Sequence, residues 1–336
     1  MRDFVETEPR VRIEVRLDEE DRRSALHDET FWGLRAEPKE LSPVWLYDER
    51  GSLLFERITR LPEYYPTRSE RKILGRCAAE VAARTGAATL IELGSGTSEK
   101  TRLLLDALQA AGTLGRFVPL DASEDVLLRS ARAVAERYPA LRVHAIVGDF
   151  ERHLGALPDG RRRLVAFLGS TIGNLHPERR GRFLATLAAV LGPGDALLLG
   201  VDLVKDPGVI EAAYNDPGGV TEEFVRNALT ALNRDLHADF AQRRFAYQAC
   251  WDPAREWVDI ALHALEGHVV RVEELETDVV FAAGERLRIE VSAKFRRESL
   301  ERELAAAGMR LEEWWTDADG SFALLLARVG RGEALD

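Results

Sequence analysis

The residues best suited to chemistry begin with Leu90-Ile91-Glu92-Leu93-Gly94-Ser95-Gly96-Thr97. A glycine turn directly after an apolar run lets the backbone approach a nucleotide-like ligand closely. Asp121 closes the next apolar run, 27 residues after Gly94, where a carboxylate can accept from ribose hydroxyls. Gly148-Asp149-Phe150 follows a third run. Its acid can accept from an adenine amino group and its aromatic can pack on the ring, although Asp149 would equally suit a helix N-cap. The third glycine of the dinucleotide fingerprint would fall at position 99, which is Glu99. A carboxylate at a helix start is a poor neighbour for a pyrophosphate. S-adenosylmethionine has no phosphate and carries a positive sulfonium, which Glu92, Glu99, Asp121 and Asp149 suit better. The pattern therefore favours a methyl donor over a dinucleotide, and the bland alternative is a plain tight turn.

These residues sit in a strand–helix alternation. Strands are predicted over 89–93, 117–121, 142–147, 163–168 and 196–202, with helices over 101–111, 124–137 and 177–191 between them. Pro177 suits the first turn of the last helix and Gly192-Pro193-Gly194 ends it. Such alternation predicts a parallel, doubly wound sheet. Upstream, Leu61-Pro62-Glu63-Tyr64-Tyr65-Pro66 is a break. A helix follows, with Thr67 as N-cap and Glu70 at the capping-box position. Past Val204 come a helix over 220–234 and strands over 244–251, 257–264 and 268–272. A helix over 298–307 and a hairpin over 311–329, turning at Asp317-Ala318-Asp319-Gly320, complete the sheet. Residues 1–25 read as a charged, poorly anchored extension.

The 336 residues carry a net charge of −11, which opposes binding to a phosphate backbone. Arg161-Arg162-Arg163 is read as a solvated loop end. Two distant cysteines, Cys77 and Cys250, form neither a disulfide framework nor a metal motif and are read as buried free thiols. No histidine spacing suggests a metal. No apolar run is long enough to span a bilayer, and the charged first residues lack a signal-peptide core. The expectation is a cytoplasmic protein with no metal, no nucleic-acid partner and no membrane partner.

Longer motifs carry a resemblance. These are Ile58-Thr59-Arg60-Leu61-Pro62-Glu63-Tyr64-Tyr65-Pro66-Thr67-Arg68, Glu92 to Thr101 (ELGSGTSEKT), Phe167 to Leu175 (FLGSTIGNL) and Leu199 to Asp206 (LGVDLVKD). From about Leu41 to Ala327 the chain resembles the bacterial L-histidine Nα-methyltransferases of ergothioneine biosynthesis. The resemblance implies a Rossmann-like class I methyltransferase domain (69–202 and 295–336). It also implies a second, α+β substrate-binding domain (26–68 and 203–294) built from the N-terminal segment and an insertion. The implied activity is three methyl transfers from S-adenosylmethionine to free L-histidine, giving the trimethyl betaine hercynine. The implied oligomeric state is a monomer.

Carried over by motif, Tyr47, Gly94, Lys100, Asp121, Asp149 and Phe150 contact the methyl donor. Tyr64, Gly169, Asn174, Tyr214, Glu290 and Ser292 contact histidine, with Phe55 and Thr171 lining the site. Tyr47 and Asn174 are the implied catalytic pair. The residue types suit the substrate. Asn174 has donors and an acceptor for an α-carboxylate and an α-amine, and Glu290 can accept from an imidazole N–H. Ser292 can serve the ring as donor or acceptor. Taken alone, Glu290 and Ser292 alternate with Ile289, Val291 and Ala293 and could be one solvated strand face. The chain departs from the family at Ile260, where a methionine or other large residue lines the imidazole pocket. Rival readings are a methyltransferase for another amine, a silent binder of the methyl donor, and a nicotinamide oxidoreductase.

Overall fold

The computed structural model describes residues 4–8 and 10–330. It divides into two compact units. The first comprises the described residues of Met1–Leu17, Pro66–Val204 and Phe295–Asp336, and the second Asp18–Tyr65 and Lys205–Lys294.

In the first unit, nine strands form one sheet among the described residues. Across the sheet they run Phe4–Glu8, Val11–Val15, Arg142–Val147, Arg116–Asp121, Thr89–Leu93, Arg163–Phe167, Ala196–Asp202, Phe322–Val329 and Met309–Thr316. The six strands from Val11–Val15 to Ala196–Asp202 are parallel. The hairpin Met309–Thr316/Phe322–Val329 joins antiparallel to Ala196–Asp202, with Leu324 opposite Gly200. Thr89–Leu93 and Ala196–Asp202 are buried along their whole length, as expected for parallel strands covered on both faces. Helices Arg102–Ala110, Glu124–Arg137 and Pro177–Val190 supply Leu104, Leu105, Leu108, Leu127, Val134, Phe183 and Leu187 to the buried interior. The five parallel strands and closing hairpin expected from sequence are all present. Strand order reverses between Thr89–Leu93 and Arg163–Phe167, the position where open α/β sheets bind ligands beyond their carboxyl ends.

Residues 1–25 are not a loose extension where they are described. Phe4–Glu8 pairs antiparallel with Val11–Val15, which adds in parallel to Arg142–Val147. The physical reason is a period-2 pattern hidden under charge. Val11 and Ile13 are buried, and buried Glu14 accepts from His144 at 2.9 Å and pairs with Arg16. Asp18 then caps the helix Glu19–Gly33, its carboxylate accepting from the Asp21 amide.

The second unit is built on a four-stranded sheet, ordered Lys39–Glu40, Arg286–Ala293, Trp257–Ala264, Phe245–Asp252. A separate hairpin pairs His268–Val272 with Thr277–Phe281. Leu287, Ile289 and Val291 of Arg286–Ala293 are buried, which leaves residues 290 and 292 on the opposite face. Helix Glu49–Ile58 supplies Leu54 and Ile58 to the core, and helix Val220–Asp235 supplies Phe224, Val225, Leu229 and Leu232. Gly51 lets the first of these helices start: a Cβ there would stand 1.6 Å from the Leu46 carbonyl oxygen. One expectation about thiols fails. Cys77 is buried, and burial pushes its pKa up to about 12, but Cys250 is exposed on an outer strand of the four-stranded sheet.

Candidate active site

Of the residues expected to contact a methyl donor, Gly94, Lys100, Asp121, Asp149 and Phe150 lie at or just beyond the carboxyl ends of parallel strands in the first unit, and Tyr47 lies in the second. Gly94 and Gly96 adopt φ of 65° and 48°, a region that L side chains rarely occupy. A Cβ on either would meet nothing within 4 Å. The backbone conformation, rather than crowding, calls for glycine, and it leaves open space beside the turn. Asp121 reaches back to this turn. Its Oδ2 accepts from the Gly96 amide at 2.8 Å and its Oδ1 from the Ser123 amide at 2.9 Å. Between the glycines, the buried Ser95 hydroxyl finds no hydrogen-bond partner among the described residues. A buried hydroxyl left so is costly unless a ligand serves it.

Beneath the turn, Glu92 is buried and takes bonds from the Ser98 hydroxyl (2.9 Å) and the Thr101 hydroxyl. Burial pushes its pKa up to about 7, against the pull of those two hydroxyls and Lys100. Just past the strand Arg142–Val147, Asp149 accepts from the Glu151 amide at 2.8 Å. It thus closes a turn and does not cap a helix. Phe150 packs on Phe167 and Phe183, with ring centres 5.0 and 5.9 Å away.

Lys100 is held by Glu70, a residue the sequence offered only as a capping partner. The helix in fact begins at Pro66, so Thr67 lies inside it and Glu70 is free of that task. Fully buried Glu70 pairs with Lys100 through one oxygen. Through the other it accepts the Gly169 amide at 2.8 Å. A Cβ at Gly200 would stand 2.0 Å from that carboxylate, so the neighbouring strand makes room for it. Gly169 and Ser170 both have positive φ, 79° and 59°. The turn they make is pinned by Ser170 Oγ, which accepts from the Asp202 amide at 3.0 Å, and by Thr171, which donates to Leu168 O at 3.0 Å. Asn174 ends the short helical turn Thr171–Asn174 that follows.

The remaining expected residues lie in the second unit and form a connected wall. Tyr47 packs edge-on against Phe55 (5.5 Å) and Phe224 (5.3 Å). Phe55 meets Tyr64 at 6.3 Å, and Tyr64 meets Tyr214 at 6.5 Å. Asp48 anchors the start of this wall. Its carboxylate accepts from the Gly51 amide (2.8 Å), Asn227 (2.7 Å) and Arg234 (2.8 Å). Burial would raise its pKa, but these bonds outweigh it and hold the group below the usual range. At the other end the Tyr214 hydroxyl donates to Ser292 Oγ at 2.8 Å. Lys294, buried and unforeseen from sequence, donates to both hydroxyls, at 2.7 and 2.9 Å. Glu290 keeps some exposed surface, but protein crowds its carboxyl. That desolvation pushes its pKa up to about 7 against the pull of Lys294. Ile260 stands opposite Glu290 in the strand register.

A parallel sheet whose carboxyl edge bears a glycine turn, an acid on the next strand and an open space between them has the donor set for a nucleoside. Asp121 and Asp149 place carboxylates at this edge, and Phe150 an apolar ring. None of these groups demands a phosphate, so the set fits S-adenosylmethionine. The family model for histidine-specific, S-adenosylmethionine-dependent methyltransferases matches residues 26–329. A histidine N-alpha-methyltransferase of Mycobacterium tuberculosis is 51% identical over 95% of this chain and 99% of its own. One of Mycolicibacterium smegmatis is 53% identical over 90% and 94%. The ergothioneine biosynthesis protein 1 of Neurospora crassa is 33% identical over 87% of this chain and 33% of its own. The chain belongs to the S-adenosylmethionine-dependent, histidine-specific methyltransferase family. Among the described residues no group of three or more His, Cys, Asp or Glu could hold a metal, and no helix is long and apolar enough to cross a membrane.

Proposed function

We propose that this enzyme trimethylates the α-amino group of free L-histidine to hercynine, the opening step of ergothioneine biosynthesis. The near-full-length likeness to proteins named histidine N-alpha-methyltransferase carries this reading. The polar strand face of Glu290 and Ser292 beside an aromatic wall supports it independently.

S-adenosylmethionine, when bound, supplies an electrophilic methyl carbon on a sulfonium. Gly94, Lys100, Asp121, Asp149, Phe150 and Tyr47 are the residues proposed to hold it. Asn174 takes the α-amine and α-carboxylate of histidine, with Tyr214, whose hydroxyl proton is given to Ser292, in contact beside it. Glu290 and Ser292 take the imidazole, with Tyr64, Gly169, Phe55 and Thr171 completing the surroundings. The nucleophile must be an unprotonated amine, so a proton leaves before each transfer. Tyr47 orients the amine or passes that proton to water. Alignment, rather than a strong base, supplies most of the rate. Selectivity follows from the cost of leaving buried polar groups unpaired: an amino acid without an imidazole abandons Glu290 and Ser292 together. We also read the protein as a cytoplasmic monomer with no nucleic-acid partner.

The experiment is mass spectrometry of a reaction holding the purified protein, S-adenosylmethionine and the twenty amino acids. Trimethylated histidine as the sole methylated product is expected. Methylation of a different amino acid would retain the donor assignment and remove the imidazole assignment.

A further inference from the structure

Lys294 is a buried cation inside the histidine-binding unit, and no role given above to substrate residues uses it. It lies two residues beyond Ser292 and four beyond Glu290, and its ammonium bonds Ser292 Oγ (2.9 Å) and the Tyr214 hydroxyl (2.7 Å). Its charge also acts on Glu290.

The hydrogen-bond count around Ser292 has a definite outcome. A serine hydroxyl has one proton and two lone pairs. Ser292 Oγ accepts from Lys294 and from Tyr214, which fills both lone pairs. The phenol is the more acidic of the two hydroxyls, so Tyr214 gives its proton to Ser292, and the ammonium, which can only donate, occupies the second lone pair. Ser292 is left with its proton alone and faces a ligand as a donor. Glu290, one residue pair away on the same strand face, is an acceptor whenever it is ionised. The two together match a ring with one N–H and one bare nitrogen, the pattern of a neutral imidazole. An imidazolium has two N–H groups and would turn one against the Ser292 proton. Tyr247 donates to the Tyr214 carbonyl at 2.6 Å, and the charges that act on it are those of Glu290, Tyr214, Asp216 and Glu222.

We propose that Lys294 is a specificity-determining residue: it locks Ser292 as a hydrogen-bond donor, so that the site reads the bare nitrogen of a neutral imidazole. This rests on the reading that histidine is the substrate and adds the reason one ring form is selected.

The test is a thermodynamic cycle on the ring nitrogen. Two analogues, β-(pyrrol-2-yl)alanine and β-(pyrrol-3-yl)alanine, keep one ring N–H and replace the other nitrogen by C–H. Kd is measured by calorimetry for histidine and both analogues, on the wild type and on Lys294→Met. In the wild type the better analogue should bind about 10- to 100-fold more weakly than histidine, because it leaves a buried donor unpaired. In Lys294→Met, Ser292 can turn and the penalty should shrink to about threefold or less. Histidine itself should weaken in the variant while S-adenosylhomocysteine binds as before. An equal penalty in both proteins would overturn the proposal, as would a wild type that binds the better analogue as tightly as histidine. If Lys294→Met does not fold, Ser292→Ala replaces it: with no hydroxyl to strand, the penalty should vanish there too, and its persistence would refute the idea. If the wild type binds histidine but shows no such cycle, only this inference falls. If it does not bind histidine, the substrate reading falls with it.

Discussion

Replacing Glu70 with Gln keeps the volume and removes the charge at the one residue that joins Lys100 to the Gly169 turn. Glu70 is 0% exposed and the Lys100 side chain only 22%, so solvent screens their pair little. Loss of a charge-assisted bond at such a site costs roughly 1.5–3 kcal/mol. The glutamine oxygen can still accept from Gly169 N–H at its present 2.8 Å geometry, but its amide then faces an ammonium with donors. About 2–3 kcal/mol is therefore the expected loss. For a domain of this size each kcal/mol lowers Tm by about 2–4 °C, which gives a fall of roughly 4–12 °C. The freed Lys100 should also weaken S-adenosylhomocysteine by about tenfold or more, since one tenfold step is about 1.4 kcal/mol. Differential scanning calorimetry and titration calorimetry read these two quantities on one preparation. Glu70→Ala should cost more, about 3–5 kcal/mol, because it strands a partly buried cation. A Glu70→Gln protein with unchanged Tm and unchanged ligand affinity would refute the assignment of Glu70 as the organiser of this corner.

Glu290→Ala should raise KM for histidine much more than KM for S-adenosylmethionine in steady-state assays; equal changes would count against an imidazole contact. Tyr47→Phe should lower kcat while leaving substrate affinity near its original value, and an unchanged kcat removes Tyr47 from the chemistry. Gly51→Ala should destabilise the second unit by several kcal/mol or displace the Leu46 carbonyl, because its Cβ would lie 1.6 Å from that oxygen; a melt matching the wild type would contradict this. Stability should also depend on pH through Glu92, whose pKa is raised from 4.5 to about 7 on folding. The folded state holds that proton more tightly than the unfolded chain. Its contribution is complete below pH 4.5, fades as pH rises to 7, and by then has cost about 3 kcal/mol. Glu92→Gln stays neutral, so its Tm should fall less between pH 5 and pH 8 than that of the wild type; parallel falls would sink the explanation.

The parallel sheet could be read from the sequence because each strand is a short apolar run punctuated by glycine, proline or a capping acid. Gly94, Asp121 and Asp149 could be placed at strand ends for the same reason. The first strands escaped because their alternation is carried by Val11 and Ile13 between charged residues, and because Glu14 is buried by pairing rather than by being apolar. Glu70 and Lys294 escaped for a related reason. Each is a long charged side chain at a position that suits solvent, and only the fold shows which partner takes its charge. A lysine two residues past Ser292 was visible as spacing, but no periodicity distinguishes an ammonium that snorkels to water from one that bonds two hydroxyls. Cys250 shows the converse: strand propensity placed it correctly and said nothing of which side faces water.

The antiparallel strand Phe322–Val329 has a consequence during synthesis. It covers the edge of Ala196–Asp202, whose Ala-Leu-Leu-Leu run is buried throughout. Because the stretch 205–294 intervenes, a ribosome makes the uncovered edge long before it makes the cover. Until then a row of unpaired backbone groups flanked by leucines stands ready to pair with any passing strand. The second unit, whose segments end at Lys294, has all its residues before the first can complete its sheet. Chains truncated between residues 294 and 322 should therefore be the form most in need of a chaperone, although they hold every residue of the second unit.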